Sequence, residues 1–374
     1  MISFSVSARD PHSRARTGRI ETPHGAFDTP AFMPVGTKAA VKTLAPSQLE
    51  AAGAQILLCN AYHLALRPGE NLIHHMGGLH RFMGWKGPIL TDSGGYQVFS
   101  LAKLRKVDDA GVEFQSHLDG SRVYLTPERA LEIQRLLGAD IVMPLDEPAP
   151  FPATPAIAEA AVKRTSAWLA RTVKARRDEG LFGIVQGGTD AALRRRSAED
   201  VERHDLAGAA IGGLSLGEPA TTMIEMTAAV CEAVPESKPR YLMGVGTPGD
   251  IANAVLQGVD MFDCVLPTRM GRTGWAFTSE GMLKIRNAAF KEDERPLDPA
   301  CTCPACRAFS RAYLRHCFAV DEILGLSMLS LHNITYYQSL MKRIREAIPN
   351  GTLTRLAQQE SERCPPLEGR RTKP

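Results

Sequence analysis

The residues with the most chemistry to offer fall into two sets. The first is Cys301-Thr302-Cys303-Pro304-Ala305-Cys306, a C-x-C-x2-C run, followed by His332 beyond a segment of helical character. Three thiolates and one imidazole complete a tetrahedral zinc site, and four protein ligands leave no open position, so such a metal is structural rather than catalytic. The short spacing wraps three ligands around one ion, and the distant histidine ties a helix to that loop. An iron–sulfur cluster would want a suitably spaced fourth cysteine, and the candidate fourth ligand here is a histidine. The second set stands at the ends of apolar runs: Asp92, Asp146, Gln186, Gly213 and Asp263. One such aspartate alone reads as a cap for the next helix or loop. The same position recurring after separate runs reads instead as carboxylates converging on one site, the material of covalent and acid–base catalysis.

The runs themselves are 31–35, 55–59, 88–91, 140–145, 181–185, 209–212, 240–245 and 259–262. Continuous apolar stretches of this length suit strands buried on both faces, as in parallel sheets. Helical patterns lie between most of them. Thr126-Pro127-Glu128 supplies an N-cap, a proline at the first helical position and an acidic first turn, with Ala130, Ile133, Leu136 and Leu137 as the apolar face. Ile157, Val162, Trp168, Leu169 and Val173 line a second helix. The alternation predicts an α/β fold, a (β/α)8 TIM barrel with a C-terminal zinc-binding subdomain; an open doubly wound sheet is the competing arrangement. In a barrel all strand C-termini open onto one face, which carries the active site.

Residues 3–29 read as a hairpin closing the barrel floor, with Gly18 and Gly25 as turn signals. After Pro267 the alternation stops. The division expected is therefore 1–272 for the barrel core with its hairpin, 273–340 for the zinc-binding subdomain, and 341–374 for a C-terminal helix and a frayed tail at 369–374. His74, His75 and His80 have no partner motif and read as surface or packing residues.

The 374 residues are 44% hydrophobic, enough for a large core, and carry a net charge of +3. That permits nucleic-acid binding only through a local basic patch. No apolar run reaches the roughly 18 residues that span a membrane, and the first residues lack a signal-peptide pattern. A cytoplasmic protein is expected, with its eight cysteines reduced.

Several blocks together carry a family resemblance: TPAFMPVGT (29–37), LTDSGGYQV (90–98), SHLDGSR (116–122), the Asp146-Glu147 pair, VQGG (185–188), GGLSLGE (212–218), YLMGVGTP (241–248), MFDCVLPTR (261–269) and the cysteine cluster. The sequence closely resembles the bacterial tRNA-guanine transglycosylases, also called queuine tRNA-ribosyltransferases. The resemblance implies an enzyme that removes guanine from the wobble position of tRNAs with a G-U-N anticodon, those for aspartate, asparagine, histidine and tyrosine. It installs a 7-deazaguanine, in most bacteria the 7-aminomethyl precursor of queuosine. The resemblance also implies a homodimer with one structural zinc per subunit.

Residue by residue, Asp263 matches the family's nucleophile and Asp92 its acid and base. Base exchange at C1′ of ribose is similar to retaining glycoside hydrolysis, with an oxocarbenium-like transition state captured by a carboxylate. Asp146 matches the carboxylate that accepts the two adjacent donors of guanine. Gln186 and the backbone amide of Gly213 match the contacts to the base carbonyl. Tyr96 and Met243 match the two sides of the base sandwich, and Ser93 and Asn60 match further pocket positions. Gly94 and Gly95 would let backbone approach closely. Arg269 and Arg272 match arginines that contact the anticodon around the reacting nucleotide, and Lys284 and Arg286 extend that patch.

The sequence departs from the bacterial pattern at Pro148, often cysteine, at Gly188, often serine, and at Ser215, often alanine. The latter two look more like the eukaryotic members, which insert the bulkier queuine. Leu216 stands where those members have a small residue, which favours the aminomethyl precursor. Three alternatives stay open: a queuine-inserting enzyme, a non-catalytic tRNA-binding subunit and a barrel glycosidase. The three aspartates speak against the second. The cysteine cluster and the arginines after Asp263 speak against the third.

Overall fold

The computed structural model describes residues 2–101, 105–177 and 180–364; the tail expected to fray at 369–374 lies outside them. The chain opens with strands β1 (Ser3–Arg9), β2 (Arg16–Thr22) and β3 (Gly25–Thr29), which pair antiparallel in that order. One expectation fails here. Gly18 is no turn but the middle of β2, paired with Val6 and Thr29. A Cβ there would stand 2.5 Å from the Ser5 carbonyl oxygen, so the glycine serves close strand packing. Gly25, at φ +113°, does sit at the β2–β3 turn, where a side chain would be strained.

Next come β4 (Ala31–Gly36), β5 (Leu57–Asn60) and β6 (Ile89–Asp92), then an inserted antiparallel sheet of β7 (Arg105–Val107), β8 (Val112–Gln115) and β9 (Arg122–Leu125). The series resumes with β10 (Ile141–Val142), β11 (Gly180–Val185), β12 (Gly208–Ile211), β13 (Arg240–Leu242) and β14 (Met261–Cys264). Every neighbouring pair is parallel, and β14 pairs back onto β4 with Asp263 beside Met33. The closed eight-stranded barrel excludes the open sheet.

Alternate strand residues divide between two cores. Met33, Leu58, Phe182 and Met261 fill the interior, with Ile20 and Phe27 of the N-terminal sheet packed beneath them as the floor. Phe32, Val185, Ile211 and Phe262 face outward onto the helices. Three strands end sooner than their apolar runs, β12 by a single residue. β10 stops at Val142 because the Gln134 side chain takes over the next residue: it donates to the Met143 carbonyl at 2.8 Å and accepts from its N–H at 2.9 Å. β13 stops at Leu242, and Gly244 turns to φ +72°.

The helix Pro127–Leu137 is capped as expected, Thr126 accepting from Arg129 N at 3.1 Å. In the helix Pro155–Ala175, Trp168 and Leu169 are buried but Ile157 is 48% exposed, because Ala158, Ala161, Val162 and Thr165 form the inward stripe of its first turns. Beyond β14, the helix Leu266–Arg272 leads to the hairpin β15 (Trp275–Thr278) and β16 (Gly281–Lys284), then to the cysteine loop. A 25-residue helix, Ile323–Ala347, runs from that loop back along the barrel wall, where Gln338 donates to the Phe32 carbonyl and Arg345 to the Pro30 carbonyl. None of the described helices is long and apolar enough to cross a membrane.

Candidate active site and metal centre

Asp92 ends β6 and pairs in register with Asn60 of β5. Asn60 Nδ2 donates to Asp92 Oδ2 at 2.8 Å, Gln97 Nε2 to the same oxygen at 3.1 Å, and Ala61 N to Oδ1 at 3.2 Å. These bonds favour the carboxylate, but burial first and the Asp263 charge second outweigh them and push Asp92 up to about 8. Asp146, also felt by Asp92, adds to the shift.

Asp263 lies inside β14 rather than just after it. Its Oδ1 accepts from the buried Tyr241 hydroxyl at 2.6 Å and from Gly244 N at 2.8 Å, whereas Oδ2 has no hydrogen bond among the described residues. Burial raises its pKa, and the two donors pull it back. One oxygen is thus fixed and the other left free to react.

Asp146 is buried on the unpaired segment after β10, where Gln186 Nε2 donates to its Oδ2 at 2.7 Å. Burial pushes it up to about 6. A Cβ on Gly95 would come within 2.4 Å of its Oδ1, so only glycine lets that turn cross the carboxylate. Gln186 follows β11, and its Oε1 is buried without a partner. Gly213, at φ +64°, brings the next loop against it, where a Cβ would stand 2.2 Å from that oxygen. Ser93 is buried and accepts from Gly95 N at 3.4 Å. Tyr96 is the second residue of the helix Gly95–Leu101 and is 47% exposed, while Met243 packs half-buried against the barrel interior.

Arg269 and Arg272 occupy the helix immediately after β14, both half-buried, and Arg272 Nε is buried with no partner among the described residues. Lys284 lies over the Trp275 ring at 5.6 Å, and Arg286 donates to the Phe318 carbonyl at 2.8 Å, so Arg286 is engaged within the C-terminal subdomain.

The ligand atoms of Cys301, Cys303, Cys306 and His332 all lie within 4.8 Å of one another. His332 is fully buried, and its Nε2–H donates to the Phe277 carbonyl at 2.8 Å. That bond fixes the tautomer and turns the Nδ1 lone pair toward the sulfurs, 3.3 Å from Cys306 and 3.7 Å from Cys303. The donor set fits a metal ion: three soft sulfurs and one oriented imidazole nitrogen.

The family model described as queuine tRNA-ribosyltransferase matches residues 10–366. The chain belongs to this family. Among its relatives, the queuine tRNA-ribosyltransferase of Thermus thermophilus is 53% identical over 93% of this chain and 90% of that protein. Those of Desulforamulus reducens, 51% identical over 93% and 94% of the two chains, and of Moorella thermoacetica, 51% identical over 97% and 98%, are similar over most of their length.

In this family member, several site residues escape sequence reasoning. Arg194 is fully buried without a carboxylate partner; its Nε donates to the Gly188 carbonyl at 2.8 Å and its two Nη atoms to the Gly212 carbonyl at 3.2 Å. It pins the two loops that carry Gln186 and Gly213, yet in sequence it is one of three consecutive arginines and looks like a solvated face. Tyr241 and Gln97, which hold the two aspartates, sit inside quoted motifs but gave no signal of their own. Glu218 gathers the amides of Ser215, Leu216 and Gly217 into one turn. His80, read as a surface or packing residue, bonds Asp140 at 3.2 Å beneath the barrel and stacks on His24 at 3.5 Å.

Proposed function

We propose that this chain is a tRNA-guanine transglycosylase that exchanges guanine in the G-U-N anticodon for 7-aminomethyl-7-deazaguanine. The observation that carries it is Asp263, with one oxygen fixed by Tyr241 and Gly244 and the other free, in the same cleft as a second carboxyl, Asp92, pushed up to about 8. In this reading Asp263 Oδ2 bonds C1′ as the bond from C1′ to guanine breaks, and guanine leaves with the proton of Asp92. The incoming base gives a proton back to Asp92, bonds C1′ and displaces Asp263. Asp146 and the Gln186 amide read the polar edge of the base, with the Gly213 amide beside them. Ser93 lines the pocket, Tyr96 and Met243 cover the two faces of the base, and Arg269 and Arg272 hold the RNA strand. Zinc is the metal the Cys3His set suits; when bound it supplies a structural crosslink. The assembly proposed is a cytoplasmic homodimer, divided as 1–272, 273–340 and 341–374. Incorporation of labelled guanine into tRNA tests the reading; binding without incorporation would leave a non-catalytic subunit, and no action on tRNA would return the glycosidase.

The acid role sets the pH profile. A carboxyl at about 8 holds its proton below that pH and loses it above, so kcat/KM should fall on the alkaline side near pH 8. Asp146, at about 6, becomes protonated below that pH and loses an acceptor for the base, so the acid limb should fall near pH 6. An alkaline limb that is flat to pH 9.5, roughly 1.5 units above the acid's value, would remove Asp92 from the acid role.

Leu216, half-buried in the turn that Glu218 closes, should disfavour queuine. Overpacking a close wall costs roughly 1–3 kcal/mol, or about one to two powers of ten in selectivity. Leu216→Gly should raise queuine incorporation relative to the aminomethyl base. Equal use of both bases by the unaltered protein would refute the steric argument.

A further inference from the structure

Among the described residues, two side-chain groups converge closely enough to hold a metal ion. One is the Cys3His cluster; the other is His24, His80 and Asp140, whose ligand atoms also lie within 4.8 Å of one another. The second group stands at the opposite end of the barrel from the cleft. Asp140 directly precedes β10, whereas Asp146 follows that strand. Asp140 also binds the N–H of Ile89 at the start of β6, whereas Asp92 ends β6. His24 sits in the β2–β3 turn of the floor sheet, and His80 on the helix Gly78–Met83. Three separate elements thus bring polar tips to one point that the proposed reaction does not use.

The Asp140 side chain is fully buried, and among the described residues no lysine or arginine pairs with it. A buried carboxylate needs its charge balanced, so the counter-charge comes from the two imidazoles or from an ion they share. Each oxygen uses one lone pair on the backbone, Oδ1 accepting from His24 N at 3.1 Å and Oδ2 from Ile89 N at 2.9 Å. Each turns the other lone pair to an imidazole: His24 Nδ1 lies 2.8 Å from Oδ1, and His80 Nε2 3.2 Å from Oδ2. Bonds of about 2.0–2.2 Å in a tetrahedral shell put neighbouring ligand atoms roughly 3.4 Å apart, so these contacts need widen only slightly to admit an ion. The two rings lie face to face, with centroids 3.5 Å apart and planes 15° apart, so aiming both nitrogens at one ion requires the rings to open. His80, 12% exposed, is held by its helix; His24, 44% exposed in a turn, has the room to swing.

We propose that His24, His80 and Asp140 form a second metal site, on the barrel floor, for a divalent cation of the zinc class. Two imidazoles and one carboxylate suit such borderline ions rather than calcium or magnesium, which take oxygen ligands. Three protein ligands leave a fourth position to water on the exposed side of His24. With that open side the site holds its ion more loosely than the closed Cys3His set, and dialysis against a chelator empties it. The bound ion ties the floor sheet, the helix Gly78–Met83 and the start of β10 together, so it locks the floor beneath the barrel. The proposal does not depend on the transglycosylase reading.

The test is calorimetric titration of the full chain with zinc chloride, after dialysis against a chelator that clears loosely held metal and leaves the Cys3His ion in place. One further ion per chain should bind, and a hundredfold excess over Kd should raise Tm by roughly 5 °C. His24→Ala, in an exposed turn, should keep the fold, weaken this binding at least about a hundredfold and lose the gain in Tm. The His74→Ala/His75→Ala double variant removes two exposed histidines on the nearby helix Glu70–His75 and should bind the further ion as the unaltered protein does. Absence of a further ion at millimolar zinc would overturn the site, as would undiminished binding by His24→Ala. Loss of binding in the His74→Ala/His75→Ala variant would also overturn it, by assigning the ion to that exposed pair.

Discussion

Replacing Asp263 by alanine should reduce base exchange by roughly a thousandfold or more, as loss of a covalent nucleophile does, while affinity for tRNA stays close to that of the unaltered protein. The geometry separates the two effects. In the proposed reaction Asp263 acts through Oδ2, while its other oxygen receives bonds from Tyr241 and Gly244. The cations proposed to hold the RNA, Arg269 and Arg272, lie on the next helix. Removing the carboxylate also orphans the Tyr241 hydroxyl, whose residue is 1% exposed. That loss costs about 1–3 kcal/mol of stability, enough to lower the melting temperature but too little to imitate a thousandfold loss in protein that remains folded. Asp263→Asn, nearly isosteric, should be as inactive as the alanine variant. A pocket-filling guanine analogue should trap an RNA–protein adduct on denaturing gels with the unaltered protein and with neither variant. Robust exchange by the alanine variant would remove Asp263 from the nucleophile position.

The barrel was legible because its strands are continuous apolar runs, a pattern only a sheet buried on both faces requires. The recurrence of Asp92, Asp146, Gln186, Gly213 and Asp263 at the run ends located one rim of that barrel. Periodicity could not see where side chains replace backbone partners. Gln134 ends β10 by bonding both polar groups of Met143, and nothing in the run 140–145 announces it. Nor does one dimension distinguish a buried arginine from a solvated one. Arg194 stands beside Arg195 and Arg196 in the chain, yet only Arg194 turns inward to hold the carbonyls of residues 188, 212 and 213. Gly18 misled for a related reason: glycine marks turns, but it equally marks a strand that another backbone must approach closely. The metal cluster was the opposite case. Its first three ligands are local in sequence, and the fourth is a histidine on the helix that must return to the barrel.

Cys303→Ser should lose the metal and, through it, disturb the RNA-binding side of the cleft more than the base pocket. Cys303 is 4% exposed and its sulfur lies within 4.8 Å of the other three candidate ligand atoms, so a hydroxyl there removes one of the four ligands. Structural zinc contributes about 10–16 kcal/mol in isolated finger peptides, and ligand loss forfeits much of that where folding depends on the metal. The consequence travels along a short path. His332 is followed by Asn333, whose side chain accepts from Phe277 N at 3.0 Å and donates to the carbonyls of Pro267 and Trp275, each at 2.9 Å. Two residues before His332, Ser330 packs so closely on Gly271 that a Cβ on the glycine would stand 2.6 Å from the Ser330 nitrogen. The segment Ser330–Asn333 therefore holds both the metal site and the helix of Arg269 and Arg272. The residues proposed to read the base edge, Asp146, Gln186 and Gly213, follow β10, β11 and β12 instead, on other strands of the barrel. Elemental analysis should find about one zinc per chain in the unaltered protein and close to none in the variant. Hydrogen exchange should quicken first between residues 285 and 332, and KM for tRNA should rise more than KM for guanine. Full zinc in the serine variant, or no metal in the unaltered protein, would refute the site. Loss of zinc with both KM values unchanged would keep the site but break its connection to the arginine helix.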